Sequence, residues 1–218
     1  FSFSKEITGS LMLVAILGNT SFMGIPIVNA YMGESAIPYV LVYDQLGTFI
    51  ALAIYGTFIA SYYSSKNQIT FKIITLKVLT FPPFISLVAA LFLMGVEFNP
   101  ILSKVLASFS STIVPMALVA VGLQLQFKLP KEDLKPFSIA LVIKLIIAPI
   151  FAIIICKIFS WDNEVSVVSI MESAMAPMIT AGAIASMAGL APRLSSAIVG
   201  YGILISFITT AILFKLIN

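Results

Sequence analysis

Long apolar segments joined by short polar turns make up almost the whole chain. These segments cover 7–31, 35–62, 71–95, 100–127, 134–159, 164–189 and 193–217. Each is longer than the roughly 20 helical residues that cross a hydrocarbon core of about 30 Å. Because only helices or closed barrels satisfy their backbone in lipid, the pattern predicts an all-α integral membrane protein with about seven transmembrane helices.

Two of these segments are broken near the middle by polar residues and a proline. The first segment, 7–31, contains Pro26, and the sixth, 164–189, contains Pro177. Proline lacks the N–H that a helix needs, so we expect both segments to unwind at these points. Unwound backbone inside a bilayer is tolerated only beside protein or a water-filled cavity. A pair of broken helices is typical of the binding site of a secondary transporter.

Composition excludes a soluble domain and several kinds of chemistry. The chain is 60% hydrophobic and 10% charged, with a mean hydropathy of +1.12, whereas ordinary globular domains have roughly 25% charged residues. There is no histidine, and Cys156 is the single cysteine. The chain therefore lacks the usual nitrogen ligands of metals and the commonest general base, and it cannot form an internal disulfide. We expect no metal, no cofactor and no nucleic-acid partner.

Loop charges predict the orientation of the chain. The basic residues of alternate turns are Lys5, Lys66, Lys72, Lys128, Lys131, Lys135 and Arg193. By the positive-inside rule the start of the chain is cytoplasmic and its carboxyl terminus lies outside. The two broken segments then run in opposite directions, as a five-plus-five inverted repeat requires. We expect this chain to be part of a ten-span protein, with three spans before Phe1.

Several stretches resemble a known family. Residues 19–27 read NTSFMGIPI and resemble the N-T-x-x-x-G-[IL]-P-[IL] stretch of the auxin efflux carrier family, which includes bacterial dicarboxylate permeases. Later stretches that fit the family in order are Pro82–Ile85, Val114–Gly122, Lys144–Pro149 and Met175–Pro177. The resemblance covers essentially the whole chain, read as spans four to ten of ten.

The resemblance implies a carrier of small organic anions that works by an elevator-type mechanism. A transport domain would contain residues 1–62, the end of the first repeat, and residues 128–218 of the second repeat. Residues 63–70 would form a cytoplasmic connection, and 71–127 would supply scaffold helices through which a homodimer could form. The resemblance also implies a location in the bacterial plasma (inner) membrane, with lipid as the surrounding partner.

Polar residues near the midplane identify candidate site residues independently of that resemblance. At about 1.5 Å per residue, Asn19, Asp44, Lys144 and Glu172 lie some 12–18 Å from their helix starts. Ionisable groups at this depth are costly and by default mark a functional site. The candidates for substrate binding are Asn19, Thr20, Pro26, Lys144 and Pro177. The candidates for coupling to a proton or sodium ion are Asp44, Gln45 and Glu172.

Each candidate also has a purely structural interpretation. Asn19 could cap a broken turn, Thr20 could hydrogen-bond a neighbouring helix, and Glu172 could form a buried pair with Lys144. Alternative functions also stay open. They are a cation-coupled carrier like the bile acid sodium symporters, a membrane sensor, and an intramembrane enzyme that uses Asp44 and Glu172. The motifs usual around intramembrane catalytic acids are missing, so we expect a carrier and not an enzyme.

Overall fold

The computed structural model describes residues 3–64, 82–112, 115–116, 119 and 133–217, and every regular element within them is helical. The helices, numbered along the chain, are α1 (Lys5–Val14), α2 (Ile25–Met32), α3 (Glu34–Tyr63), α4 (Pro82–Phe92), α5 (Pro100–Ser111), α6 (Leu134–Ile158), α7 (Glu164–Ser173), α8 (Ile179–Met187) and α9 (Pro192–Ile217).

Three unbroken helices in the described part of the chain are long and apolar enough to cross a membrane. They are α3, α6 and α9, which match the predicted segments 35–62, 134–159 and 193–217. The prediction of an all-α membrane protein is therefore confirmed. Helices α4 and α5 occupy the described parts of two further segments, and α5 has no buried residue. Residues 65–81 and most of 113–132 lie outside the described residues, and the domain boundaries and the repeat stay predictions.

Both predicted interruptions are present, but the first has a different cause from the one expected. Residues 15–19 separate α1 from a π-helical turn, Thr20–Gly24, that continues directly into α2. Pro26 lies in the first turn of α2, where a missing N–H is tolerated. The prediction that Pro26 unwinds the first segment is wrong. In the second segment, Pro177 does lie in the unwound stretch, 174–178.

The polar candidates of α3 and α6 lie in π-helical turns. The segment Tyr43–Thr48 of α3 contains Asp44 and Gln45, and the segment Ile143–Ile147 of α6 contains Lys144. A π-helical turn holds an extra residue and changes the direction of the side chains that follow; such turns are frequent at functional sites. Local helix geometry therefore aims these polar groups inward.

The core is built around the two broken segments and α9. Helix α8 packs against α9 and α1, and α1 packs against the end of α3. Small residues allow this approach, because a Cβ atom added at Gly182 would lie 2.8 Å from Val199 Cγ2. At the unwound stretch, the Pro177 ring packs directly on Gly202 of α9, where an added Cβ would lie 2.5 Å from Pro177 Cδ.

We expect Gly202→Ala to destabilise the fold. The new methyl group would push the unwound stretch away from α9, and overpacking of this kind costs about 1–3 kcal/mol. Gly47→Ala is the matched control, since an added Cβ there meets no atom of the described residues within 4 Å beyond its own helix backbone. The measurement is the apparent melting temperature of the detergent-solubilised protein. Equal melting temperatures for the two variants would contradict the packing of Pro177 on Gly202.

Candidate functional site

The unwound stretches of the two broken segments lie side by side. Gly18 and Pro177 form an antiparallel backbone bridge. On one side of the bridge the Asn19 N–H donates to the Ala176 carbonyl oxygen over 2.8 Å, and on the other the Met178 N–H donates to Leu17 over 2.9 Å. Each stretch thus supplies hydrogen bonds that the other lost on leaving the helix. We call this place the crossing.

Lys144 lies at the crossing, although it comes from a separate helix. Its ammonium group donates to the Ser173 carbonyl oxygen over 3.1 Å, at the carboxyl end of α7. The side chain is only 4% exposed, and a Cβ atom added at Gly18 would lie 2.9 Å from Nζ. A cation is favoured at a helix carboxyl terminus, where carbonyl groups are unpaired. Gly18 therefore provides the room, and α7 the electrostatic environment, for a buried ammonium.

Glu172 is the least satisfied polar group near the crossing. Its side chain is 0% exposed, and neither carboxyl oxygen has a hydrogen-bond partner in the described part of the chain. The carboxyl group packs against Gly24, where an added Cβ would collide with both oxygens. The buried pair with Lys144 is not formed as a hydrogen bond. A buried, unpartnered carboxyl group in a native structure calls for an explanation, such as a bound ion or a functional role.

Asp44, in contrast, is well satisfied. The Thr20 hydroxyl donates to Asp44 Oδ1 and the Gln45 amide donates to Oδ2, both over 2.5 Å. The bond from Thr20 to Asp44 ties α3 to the turn that follows the first interruption. Thr20 therefore makes a hydrogen bond between helices, which is the structural interpretation given for it above. The Gln45 side-chain oxygen has no partner among the described residues.

Asn19 does not act as a side-chain cap. Its backbone carbonyl accepts from the N–H groups of Met23 and Gly24, over 3.3 and 3.1 Å, which opens the π-helical turn. Its side chain makes no capping hydrogen bond, and its buried amide nitrogen has no partner in the described part of the chain. The interpretation of Asn19 as a cap is therefore not supported. Its side-chain amide nitrogen is available to donate to a ligand.

A cavity of about 350 Å³ lies against the crossing. Its lining residues are Ile16, Leu17, Gly18, Thr20, Tyr43, Gly47, Thr48, Ala51, Lys144 and Glu172. We call it the crossing cavity. Of the predicted site residues, Thr20, Lys144 and Glu172 line it. The others do not, and they are Asn19, Asp44, Gln45, Pro26 and Pro177.

Sequence reasoning missed one wall of this cavity. Tyr43, Gly47, Thr48 and Ala51 of α3 all line it, at intervals of four, five and eight residues from Tyr43. Such spacing places side chains on one helix face. The sequence did show these small and polar residues on one face of an otherwise apolar span. It did not show which neighbouring segment that face contacts, so the cavity could not be predicted.

The two charged groups of the crossing cavity are suited to binding ligands of opposite charge. The ammonium of Lys144 suits an anion, and the free carboxyl of Glu172 suits a proton or a cation. Within residues 3–64, 82–112 and 133–217, no three histidine, cysteine, aspartate or glutamate side chains cluster as a metal site would require.

Comparison with known proteins identifies the family of the chain. A family model described as membrane transport protein matches residues 1–214. An uncharacterized transporter of Methanocaldococcus jannaschii is 28% identical over 180 residues, which cover 80% of this chain and 57% of the relative. An uncharacterized transporter of Methanothermobacter thermautotrophicus is 23% identical over 184 residues, covering 82% of this chain and 58% of the relative. The chain thus spans less than two thirds of either relative.

Both of these relatives are archaeal, so a bacterial origin stays a prediction. The family and the relatives are membrane transporters, not enzymes, in agreement with the prediction from sequence. With its apolar spanning helices, the chain is a multi-pass membrane protein. It belongs to the membrane transport protein family, the auxin efflux carrier family, whose model matches almost its entire length.

Proposed function

We propose that the protein is a secondary transporter that carries a small organic anion, with a carboxylate group, through a site at the crossing. One observation carries this proposal: a cavity of about 350 Å³ at the meeting point of two broken helices is lined by a buried ammonium and a buried, unpartnered carboxyl group. Such a combination is expected where a charged ligand and a coupling ion bind near the midplane.

The anion would be held by groups that converge on the crossing. Lys144 supplies the charge, and the free Asn19 amide supplies a directed donor. The turn that starts at Thr20 and helix α8, which starts at Ile179, both begin at the crossing. Helix amino termini favour anions because their first N–H groups are unpaired. Pro177 shapes the backbone at this point, whereas Pro26 serves to begin α2.

A proton or a sodium ion would supply the missing partner of Glu172. A buried carboxylate without hydrogen bonds is costly, and binding of either cation removes that cost. Asp44 and Gln45 would act indirectly, by fixing Thr20 in the cavity wall. Coupling of this ion to the anion would let an ion gradient drive transport.

Alternating access would follow from movement of the crossing with its helices. We propose an elevator-type motion, in which the helices of 1–62 and 128–218 slide against scaffold helices of 71–127. A dimer through the scaffold, a plasma-membrane location and a cytoplasmic start of the chain complete this proposal. Opposed broken helices support such a motion, because the site stays intact within one rigid unit.

The test is uptake of labelled malate and labelled benzoate by the full-length protein in sealed proteoliposomes, with proton and sodium gradients imposed separately. Gradient-dependent uptake of either acid is the expected result. If neither acid enters under either gradient, in vesicles shown to be sealed and correctly oriented, the carrier proposal is contradicted.

We expect Asn19→Ala to reduce uptake strongly without unfolding the protein. A hydrogen bond to a charged group contributes about 1.5–3 kcal/mol, so affinity should fall roughly 10- to 100-fold. Asn29→Ala is the matched control, because it makes the same substitution within α2, beyond the crossing, where Asn29 is half-buried. Uptake by Asn19→Ala equal to that of the control would remove Asn19 from the site.

We also expect Gly47→Phe to block the crossing cavity. Gly47 lines it, and in the described part of the chain no atom beyond its own helix backbone lies within 4 Å of an added Cβ. The ring would therefore fill the space in which the ligand is proposed to bind. Uptake should be lost while the melting temperature is preserved. Ile54→Phe places the same ring on an exposed position of the same helix and should transport normally. Undiminished uptake by Gly47→Phe would show that this cavity is not the substrate site.

A further inference from the structure

A second cavity, of about 400 Å³, lies next to the crossing cavity. It is bounded by α6, by α7 and by the turn between them, which carries Trp161 and Asn163. Of the residues that line these two cavities, Tyr43 is the one they share. We call the second cavity the outer cavity, because the loop charges predict that the turn at residues 160–163 lies on the outer side.

Helix α7 connects the two cavities along its length. Ser169 lines the outer cavity, and Glu172 lines the crossing cavity. Residues three apart are neighbours on the surface of a helix, so the Glu172 carboxyl lies one turn beyond the inner part of the outer cavity. Tyr43 is part of both walls at this boundary.

Two hydroxyl groups that line the outer cavity can bind a cation. The Ser166 hydroxyl donates its hydrogen to the Asn163 carbonyl over 2.6 Å and accepts from the Asn163 N–H over 3.1 Å. The Ser169 hydroxyl donates to the Val165 carbonyl over 2.8 Å. A hydroxyl has a single hydrogen to donate, so both oxygens can offer only lone pairs to the cavity. A proton carried by water, or a sodium ion, is stabilised by such acceptors.

The charges around Glu172 favour a cation that approaches from the outer cavity. Within the described part of the chain, Lys144 and Asp44 act electrostatically on Glu172, and Glu172 acts on the Tyr43 phenol. The Lys144 ammonium, held at the Ser173 carbonyl, would repel a cation that entered past it. The route past Tyr43 meets no basic group among the described residues that line the outer cavity.

We propose that the outer cavity is the entry route of the coupling cation, a proton or a sodium ion, to Glu172, and that the Tyr43 ring is the gate that closes it. This inference rests on the proposed function for the role of Glu172. The ring separates the cation route from the anion site, so an ion reaches Glu172 only when the ring moves. Without that barrier the two cavities would join, and the cation would leak without substrate.

The experiment measures cation leak through the full-length protein in proteoliposomes without any organic acid. One set of vesicles contains a pH-sensitive dye and receives a pH gradient; the other contains a sodium indicator and receives a sodium gradient. Tyr43→Ala should raise the leak of the coupling cation about tenfold, the effect of lowering a barrier by about 1.4 kcal/mol. The arm in which the leak rises identifies the cation.

Two variants make the result specific to the ring. Tyr43→Phe keeps the ring and should leak no more than the wild type. Tyr39 lies one turn earlier on α3, is 38% exposed and lines neither cavity. The leak through Tyr39→Ala should therefore also match that of the wild type. A leak in Tyr43→Ala no greater than in Tyr39→Ala, in both arms, would overturn the gate.

Ser169→Val provides a second measurement that does not depend on the stability of Tyr43→Ala. The Ser169 hydroxyl bonds only within its own helix, so its loss should leave the fold intact. It should raise the cation concentration needed for half-maximal uptake of the transported acid severalfold. An unchanged cation dependence would contradict the route. Failure of every acid to be taken up would contradict the proposed carrier, while the leak measurement would still decide whether Tyr43 is a gate.

Discussion

Peptide groups inside a membrane must find hydrogen-bond partners within the protein. At the crossing, two unwound stretches provide these partners for each other. Water is not available to replace a lost helical bond. The paired bonds Asn19–Ala176 and Met178–Leu17 satisfy the two unwound stretches reciprocally. Neither stretch could stay open in the bilayer without the other, so the crossing and the cavity beside it depend on this backbone pairing.

Close packing follows from that pairing. Bringing two backbones together leaves little space for side chains, and glycine occupies the positions that face the other elements. Gly18 admits Lys144, Gly24 admits the Glu172 carboxyl, and Gly202 admits Pro177. The charged residues of the site can be buried because the backbone on the opposite side has no side chain there.

The arrangement separates two kinds of charge within one small volume. The Lys144 ammonium is stabilised by a helix carboxyl end, while the Glu172 carboxyl has no hydrogen-bond partner in the described residues. A basic and an acidic group therefore line one cavity without forming a hydrogen bond to each other. In the proposed mechanism this separation lets an anion and a cation bind together, each completing the environment that the other needs.

The sequence by itself determined the class of protein, the three long spans that became α3, α6 and α9, and the presence of two interruptions. The length of an apolar segment depends on the bilayer thickness alone, so each span can be recognised from its own stretch of sequence. The sequence also indicated Lys144, Glu172 and Thr20, since polar groups at midplane depth are rare for an energetic reason. Family membership followed from a short motif around Asn19.

Only the tertiary structure decided which polar groups meet. Contacts between distant segments determine the position of the first interruption and the bond from Thr20 to Asp44. They also determine that Tyr43 lines two cavities. The π-helical turns shift side-chain direction by an amount that no simple helical repeat predicts. Pro26 shows the same limit: proline restricts the backbone at its own position, but whether it ends or begins a helix depends on where the neighbouring backbone finds its hydrogen bonds.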